Sequence, residues 1–210
     1  MSQAISKALV AFGSHAEEYG DDEFGVIEDL PLIQRGGDSA IYGLRKPYRL
    51  QALWLLWKKA LITRKEMGKK LGDLYIEDEF PAANCDIDML LELFNSAEKE
   101  DVMSPEDYAA YNKLPKQLTI YRGLQFDGAK VESMSWTLNK DIAKWFAHRW
   151  LKSGEKGRVF STNVPLSAVL MYNNEREEEE VVIDPSFLED IKELATEAKN
   201  EQQQRNEQSA

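Results

Sequence analysis

Three short clusters in the second half of the chain carry side chains that could act on one ligand. Tyr121-Arg122-Gly123 ends a β-type run, where an arginine fork can clamp a diphosphate and a glycine lets backbone groups come close to a ligand. Ser133-Met134-Ser135-Trp136-Thr137 precedes a helical stretch, and spacing of two puts Ser135 and Thr137 on one face of a strand, so that two hydroxyls address one pocket. Glu177-Glu178-Glu179-Glu180 runs into Val181-Val182-Ile183 with no polar break. Strand alternation would put Glu178 and Glu180 on one face, a carboxylate pair at the mouth of a cleft.

Each cluster implies an element that must hold it. Leu118–Tyr121, Arg158–Val164 and Glu179–Asp184 read as short strands bounded by glycine, proline or polar turns. Between them, 139–152 reads as an amphipathic helix with Ile142, Trp145, Phe146 and Trp150 on its apolar face, where core packing is the ordinary role of such aromatics. The first half is mainly helical. Pro47 to Lys70 reads as one helix with a basic tail, Asp86 to Ala97 as a second, and Ser104-Pro105-Glu106-Asp107 as the cap and first turn of a third. The expected organisation is a mainly helical region over 1–114, a mixed α and β core over 115–198, and a polar, disordered or frayed tail over 199–210.

Composition narrows the function classes. With 37 Asp and Glu against 26 Lys and Arg, the 210-residue chain carries a formal charge of -11, which disfavours general nucleic-acid binding. The charge is blocked: residues 1–30 are acidic, 44–70 are basic, and the last forty are acidic again. The basic stretch Lys58 to Lys70 is a solvated helix face or a docking surface for a partner. The longest apolar stretch, around Leu50 to Leu56, is far below the roughly 20 residues of a membrane span, and the N-terminal residues lack the layout of a signal peptide, so no membrane association and a cytoplasmic setting are expected. One cysteine, Cys85, excludes an internal disulfide and a thiolate zinc site, and His15 and His148 do not form a metal-ligand cluster, so no metal is expected.

In their order and spacing the three clusters resemble the arginine, serine, glutamate class of ADP-ribosyltransferases, of phage or bacterial type. The matching residues are YRG at 121–123, SWT at 135–137 followed by a helix containing AKWFA, and EEEVVI at 178–183; the likeness covers roughly 117–186. The chain departs from the pattern at Trp136, where threonine is commoner, and at Thr137, where serine is usual. The resemblance implies an α+β fold, an ADP-ribosyltransferase-like core of two small β-sheets with a mainly helical N-terminal region. It implies mono-ADP-ribosyl transfer from NAD to a macromolecular acceptor, most simply a protein arginine, with release of nicotinamide. It would suit an effector that modifies a protein of a host cell.

The resemblance also distributes roles. Glu180 would hydrogen-bond the nicotinamide ribose and stabilise a cationic transition state, as carboxylates do in glycoside hydrolysis. Ser135 would hold the ribose and orient Glu180, Arg122 would bind the NAD phosphates, Gly123 would offer backbone groups to the nicotinamide carboxamide, and Thr137 would keep a hydroxyl in the serine motif. Glu178 would meet the acceptor, and Phe146, or else Trp145, would cover the nicotinamide. Register within the four-glutamate run leaves Glu177 and Glu179 as the competing pair. Two other functions remain open: an NAD glycohydrolase that uses the same Arg122, Ser135 and Glu180 and passes ADP-ribose to water, and a non-catalytic module that keeps the fold and meets a protein partner through its acidic face and basic helix. Considered singly, Arg122 could be a surface ion-pair residue, Ser135 or Thr137 a helix cap, the glutamate run a solvated loop, and Cys85 a structural thiol.

Overall fold

The computed structural model describes residues 38–78, 81–125, 130–151 and 156–194. The acidic N-terminal block, His15, the tail from Lys199 and the Lys152 end of the expected 139–152 helix lie outside them. The chain divides into two compact units, Met1–Lys113 with Leu170–Tyr172, and Leu114–Val169 with Asn173–Ala210.

In the first unit the expected long helix from Pro47 is two helices, α1 (Lys46–Lys58) and α2 (Arg64–Glu77). The break is made by local hydrogen bonding. Ala60 adopts a left-handed conformation with φ 51°, and the N–H groups of Ala60 and Leu61 donate to the Trp57 and Leu56 carbonyls at 2.9 and 3.0 Å. That pattern closes a helix C-terminus, usually with glycine in the left-handed place. Thr63 then opens α2 with a capping box: Glu66 N–H donates to the Thr63 hydroxyl at 3.2 Å, and Thr63 N–H to the Glu66 carboxylate at 3.0 Å. The basic stretch is therefore divided between two helices, and part of it is paired: Lys58 with Glu92 and Arg64 with Glu98, each at 2.7 Å.

The short helix α3 (Pro81–Asn84) leads to α4 (Ile87–Ser96), which is capped by Asp86 where the sequence placed its start. Single-turn α5 (Lys99–Val102) is followed by α6 (Pro105–Tyr111), where Ser104 caps and Pro105 occupies the first turn. Helices α1, α2 and α4 pack on one another through Leu53, Met67, Leu71, Leu90 and Leu93, all fully buried, with Tyr75 meeting Phe94 edge-to-face at 5.4 Å. Among the described residues, no helix is long and apolar enough to cross a membrane.

The strands are β1 (Gln117–Leu124), β2 (Ser135–Thr137), β3 (Arg158–Pro165), β4 (Val169–Asn173), β5 (Glu180–Ile183) and β6 (Lys192–Leu194), with helix α7 (Lys140–His148) between β2 and β3. The mixed α and β content agrees with the sequence. In place of two small sheets there is a single six-stranded sheet of order β4-β5-β2-β1-β3-β6. Its continuity is uneven. β1 and β3 pair antiparallel over eight registers from Gln117↔Pro165 to Leu124↔Arg158, whereas β1 and β2 meet at one, Tyr121↔Thr137. Within the one sheet, β2 pairs with β5 at all three of its residues and with β1 at one, so the groups β4-β5-β2 and β1-β3-β6 are stitched at a single register.

Cys85 is 3 % exposed, and burial, with the charges of Asp86 and Asp78, pushes its thiol up to about 12. Only the thiolate reacts readily with disulfide reagents. In the folded protein Cys85 should resist an aromatic disulfide reagent at pH 8 and react at once in denaturant, with stopped-flow absorbance as the measurement.

Candidate active site

Helix α7 lies so close to β1 that its position depends on missing side chains. Asn139 caps it, accepting from the N–H groups of Asp141 and Ile142 at 2.9 and 3.4 Å. Its buried face is Ala143 and Ala147, both fully enclosed with Val159. A Cβ on Gly123 would sit 2.0 Å from the Ala143 carbonyl oxygen, and one on Gly157 2.1 Å from that of Ala147. Glycine at 123 is thus required by the helix whatever its backbone offers a ligand.

The structure overturns the expected core role of two aromatics. Trp145 is 53 % exposed, because a helix this near a sheet has room beneath it for alanine and none for indole; the helix ends at His148, short of the expected Lys152, and Trp150, 61 % exposed, lies in the turn beyond it. Instead the rings of Trp145, Phe146 and Trp150 gather round the Arg149 guanidinium, with centroids at 5.1, 4.6 and 3.7 Å. Phe146 is half-buried, and its carbonyl accepts from the Gln125 side chain at 3.0 Å.

Ser135 is where the three clusters meet. Thr137 stands opposite Tyr121 on one side and Glu180 on the other, and Ser135 stands opposite Val182, so Ser135, Thr137 and Glu180 share a face. The Ser135 hydroxyl is hydrogen-bonded to the Glu180 carboxyl. Its carbonyl accepts from the Arg122 guanidinium. Continuing the β1–β2 register would set Gly123 opposite Ser135, but the described ladder stops at Tyr121↔Thr137, and Arg122 supplies a donor to that carbonyl from its side chain.

Thr137 does a different job from the one expected of its hydroxyl. It is 5 % exposed, donates to the Glu178 carbonyl at 2.6 Å and accepts from Asn139 N–H at 3.0 Å, which leaves no donor for a ligand. One hydroxyl, that of Ser135, stands beside the carboxylates, while the other ties the glutamate run to the start of α7.

The glutamate run is a turn rather than a strand until Glu180. Glu177 and Glu179 have φ of 57° and 46°, a left-handed conformation that costs of order 1–3 kcal/mol for a side chain of this kind. Asn174 holds the turn, its carbonyl accepting from Glu177 N–H and its side-chain oxygen from Glu179 N–H, each at 3.0 Å. Leu138 N–H donates to the Glu179 carbonyl at 3.0 Å, and the Asn139 amide to the Glu179 carboxylate at 3.2 Å. Glu178 therefore reaches the neighbourhood of Glu180 through the turn and not by strand alternation. Of the two possible pairs, Glu178 and Glu180 is the one beside Ser135; Glu179 turns to the cap of α7 and Glu177 is exposed.

Sequence reasoning missed Asn173 and Arg176, which also act on Glu180: the Asn173 side chain hydrogen-bonds its carboxyl, and the Arg176 charge lies near it. The available signal was the Asn173-Asn174 pair, which ends the apolar run Val169–Tyr172 and marks a turn. Burial is the largest influence on the Glu180 carboxyl and raises its pKa, the Glu178 charge raises it further, and Ser135, Asn173 and Arg176 oppose the rise. Among the described residues no cluster of three His, Cys, Asp or Glu could hold a metal ion. Comparison of the chain with protein-family models, with curated proteins and with solved structures finds no match, so the site is read from its own geometry.

Two outcomes follow. Gly123→Ala drives a methyl into the backbone of α7, an overpacking of about 3 kcal/mol that should lower Tm by roughly 10 °C in a scanning calorimeter. A carboxyl whose folded pKa is raised favours the fold when protonated; its contribution is present below the ordinary glutamate range and is lost as pH rises through the raised value. Glu180→Gln should therefore raise Tm at pH 7.5 relative to the parent protein, and the difference should vanish by pH 4.

Proposed function

We propose that the protein transfers a single ADP-ribosyl group from NAD to a macromolecular acceptor, most simply a protein arginine, and releases nicotinamide. The observation that carries this reading is the junction at Ser135, where the hydroxyl engages the Glu180 carboxyl and the carbonyl is held by Arg122, with Glu178 beside them. The core is one six-stranded sheet and not the expected pair of small sheets, so the reading rests on this junction and not on the sheet layout.

The chemistry needs a negative charge at one place. When the bond between the ribose C1′ and the nicotinamide nitrogen breaks, the electron pair goes to the positively charged ring, which leaves neutral, and the sugar becomes an oxocarbenium-like cation. Ionised Glu180 stabilises that cation electrostatically, most strongly in a site that excludes water. A guanidine nitrogen of the acceptor then forms the new bond to C1′ and gives up a proton, which Glu178 takes. Arg122 would hold the diphosphate and Phe146 would cover the nicotinamide ring.

Because Glu180 works ionised and its pKa is raised by burial, turnover should fall as pH drops through a range above that of an ordinary glutamate, opposite in sign to its effect on stability. The test is incubation of the protein with labelled NAD and cell lysate, beside Glu180→Gln and Glu178→Gln. Label on a discrete band that is lost about 10²–10³-fold in Glu180→Gln supports transfer. Free ADP-ribose without labelled protein, insensitive to Glu178→Gln, makes the protein a glycohydrolase. Intact NAD in every sample leaves a binding module.

A further inference from the structure

Asn173 is a polar residue at the end of a strand that is otherwise apolar: Val169 to Tyr172 are buried, and Asn173 itself is 4 % exposed. A buried amide without partners would cost several kcal/mol, so its hydrogen bonds define its place. Its side-chain oxygen accepts from Glu175 N–H at 3.1 Å. That bond fixes which end of the amide is which and leaves the NH₂ group for the Glu180 carboxyl, to which the side chain is also bonded.

The two hydrogen-bond partners of Glu180 are therefore not equivalent. A serine hydroxyl can donate to a carboxylate or accept from a protonated carboxyl, so Ser135 adapts to either form. An amide NH₂ can only donate. Asn173 discriminates between the two protonation states and favours the ionised one. The charged groups near the carboxyl are Glu178, which opposes ionisation, and Arg176, which supports it, and both belong to the turn that Asn173 anchors through Glu175.

We propose that Asn173 is a positioning residue that keeps the Glu180 carboxyl ionised and aimed, while locking the start of the Glu175–Glu179 turn that carries Glu178. This rests on the reading of Glu180 as the carboxylate that stabilises the ribosyl cation. Asn173 meets no substrate; it acts through Glu180.

The experiment is carbon-detected NMR titration of the glutamate side chains in the intact protein, with Glu180 assigned from the Glu180→Gln spectrum, in the parent, Asn173→Ala and Asn173→Asp forms. Asn173→Asp is isosteric and guards against loss of fold, which circular dichroism checks. Both variants should move the Glu180 titration to higher pH, Asn173→Asp further because it adds a like charge. The acid limb of kcat for NAD cleavage should move with it, and at neutral pH kcat should fall about 10–100-fold while KM for NAD stays within about threefold. An unchanged Glu180 titration in both folded variants overturns the role of Asn173. Intact NAD in the parent overturns the catalytic reading instead, and the two failures are told apart because the titration is read without NAD.

Discussion

The close approach of α7 to the sheet is the constraint from which the rest of the site follows. It requires glycine at 123 and 157 and alanine at 143 and 147, since any Cβ at either glycine would enter the helix backbone. Once the helix is there, its cap falls beside the glutamate turn: Asn139 reaches the Glu179 carboxylate, Leu138 takes the Glu179 carbonyl, and Thr137 spans from Asn139 N–H to the Glu178 carbonyl. The positions of Glu178 and Glu180 are thus set jointly by the start of α7 and by the bonds of Asn174 within the turn.

The costs of this site are gathered in one stretch of chain. Two left-handed glutamates, a carboxyl forced into partial burial, and the like charge of its neighbour all lie between Glu177 and Glu180. Such features persist only where the surroundings over-determine them. Here Asn173, Asn174, Ser135, Thr137 and Asn139 supply the hydrogen bonds, and none of these five is charged. Neutral donors bond the carboxylate directly, while the positive charge of Arg176 acts on it as a nearby charge.

Much of this was legible in the residues, and the exceptions have physical causes. The cap at Ser104, the helix start at Asp86 and the strands at Leu118, Arg158 and Glu180 follow local rules that a sequence states directly, whereas the cap of α7 is Asn139 and not Ser135 or Thr137. The junction of Arg122, Ser135 and Glu180 could be anticipated only through the ordered motifs, because strand register brings together residues far apart in the chain. The split near Ala60 was hidden because alanine stands where glycine normally announces a helix end, although Thr63-Arg64-Lys65-Glu66 carried the opening signal. Trp145 misled because helical periodicity shows which residues are apolar and not how much room lies beneath them, and Trp150 because the helix ends before it. Asn173 left little trace, since an amide beside a carboxylate becomes visible only when the sheet is assembled.

The single register that joins β1 to β2 also has a mechanical meaning. To separate β1 from β3 eight registers must be broken, while to part β1 from β2 the sheet gives up one. Stiffness across the sheet is therefore strongly anisotropic, with the compliant direction crossing the gap that Arg122 spans to Ser135. What reinforces that seam comes from outside the ladder: the Arg122 side chain bonded to the Ser135 carbonyl, and α7, which packs against both β1 and β2.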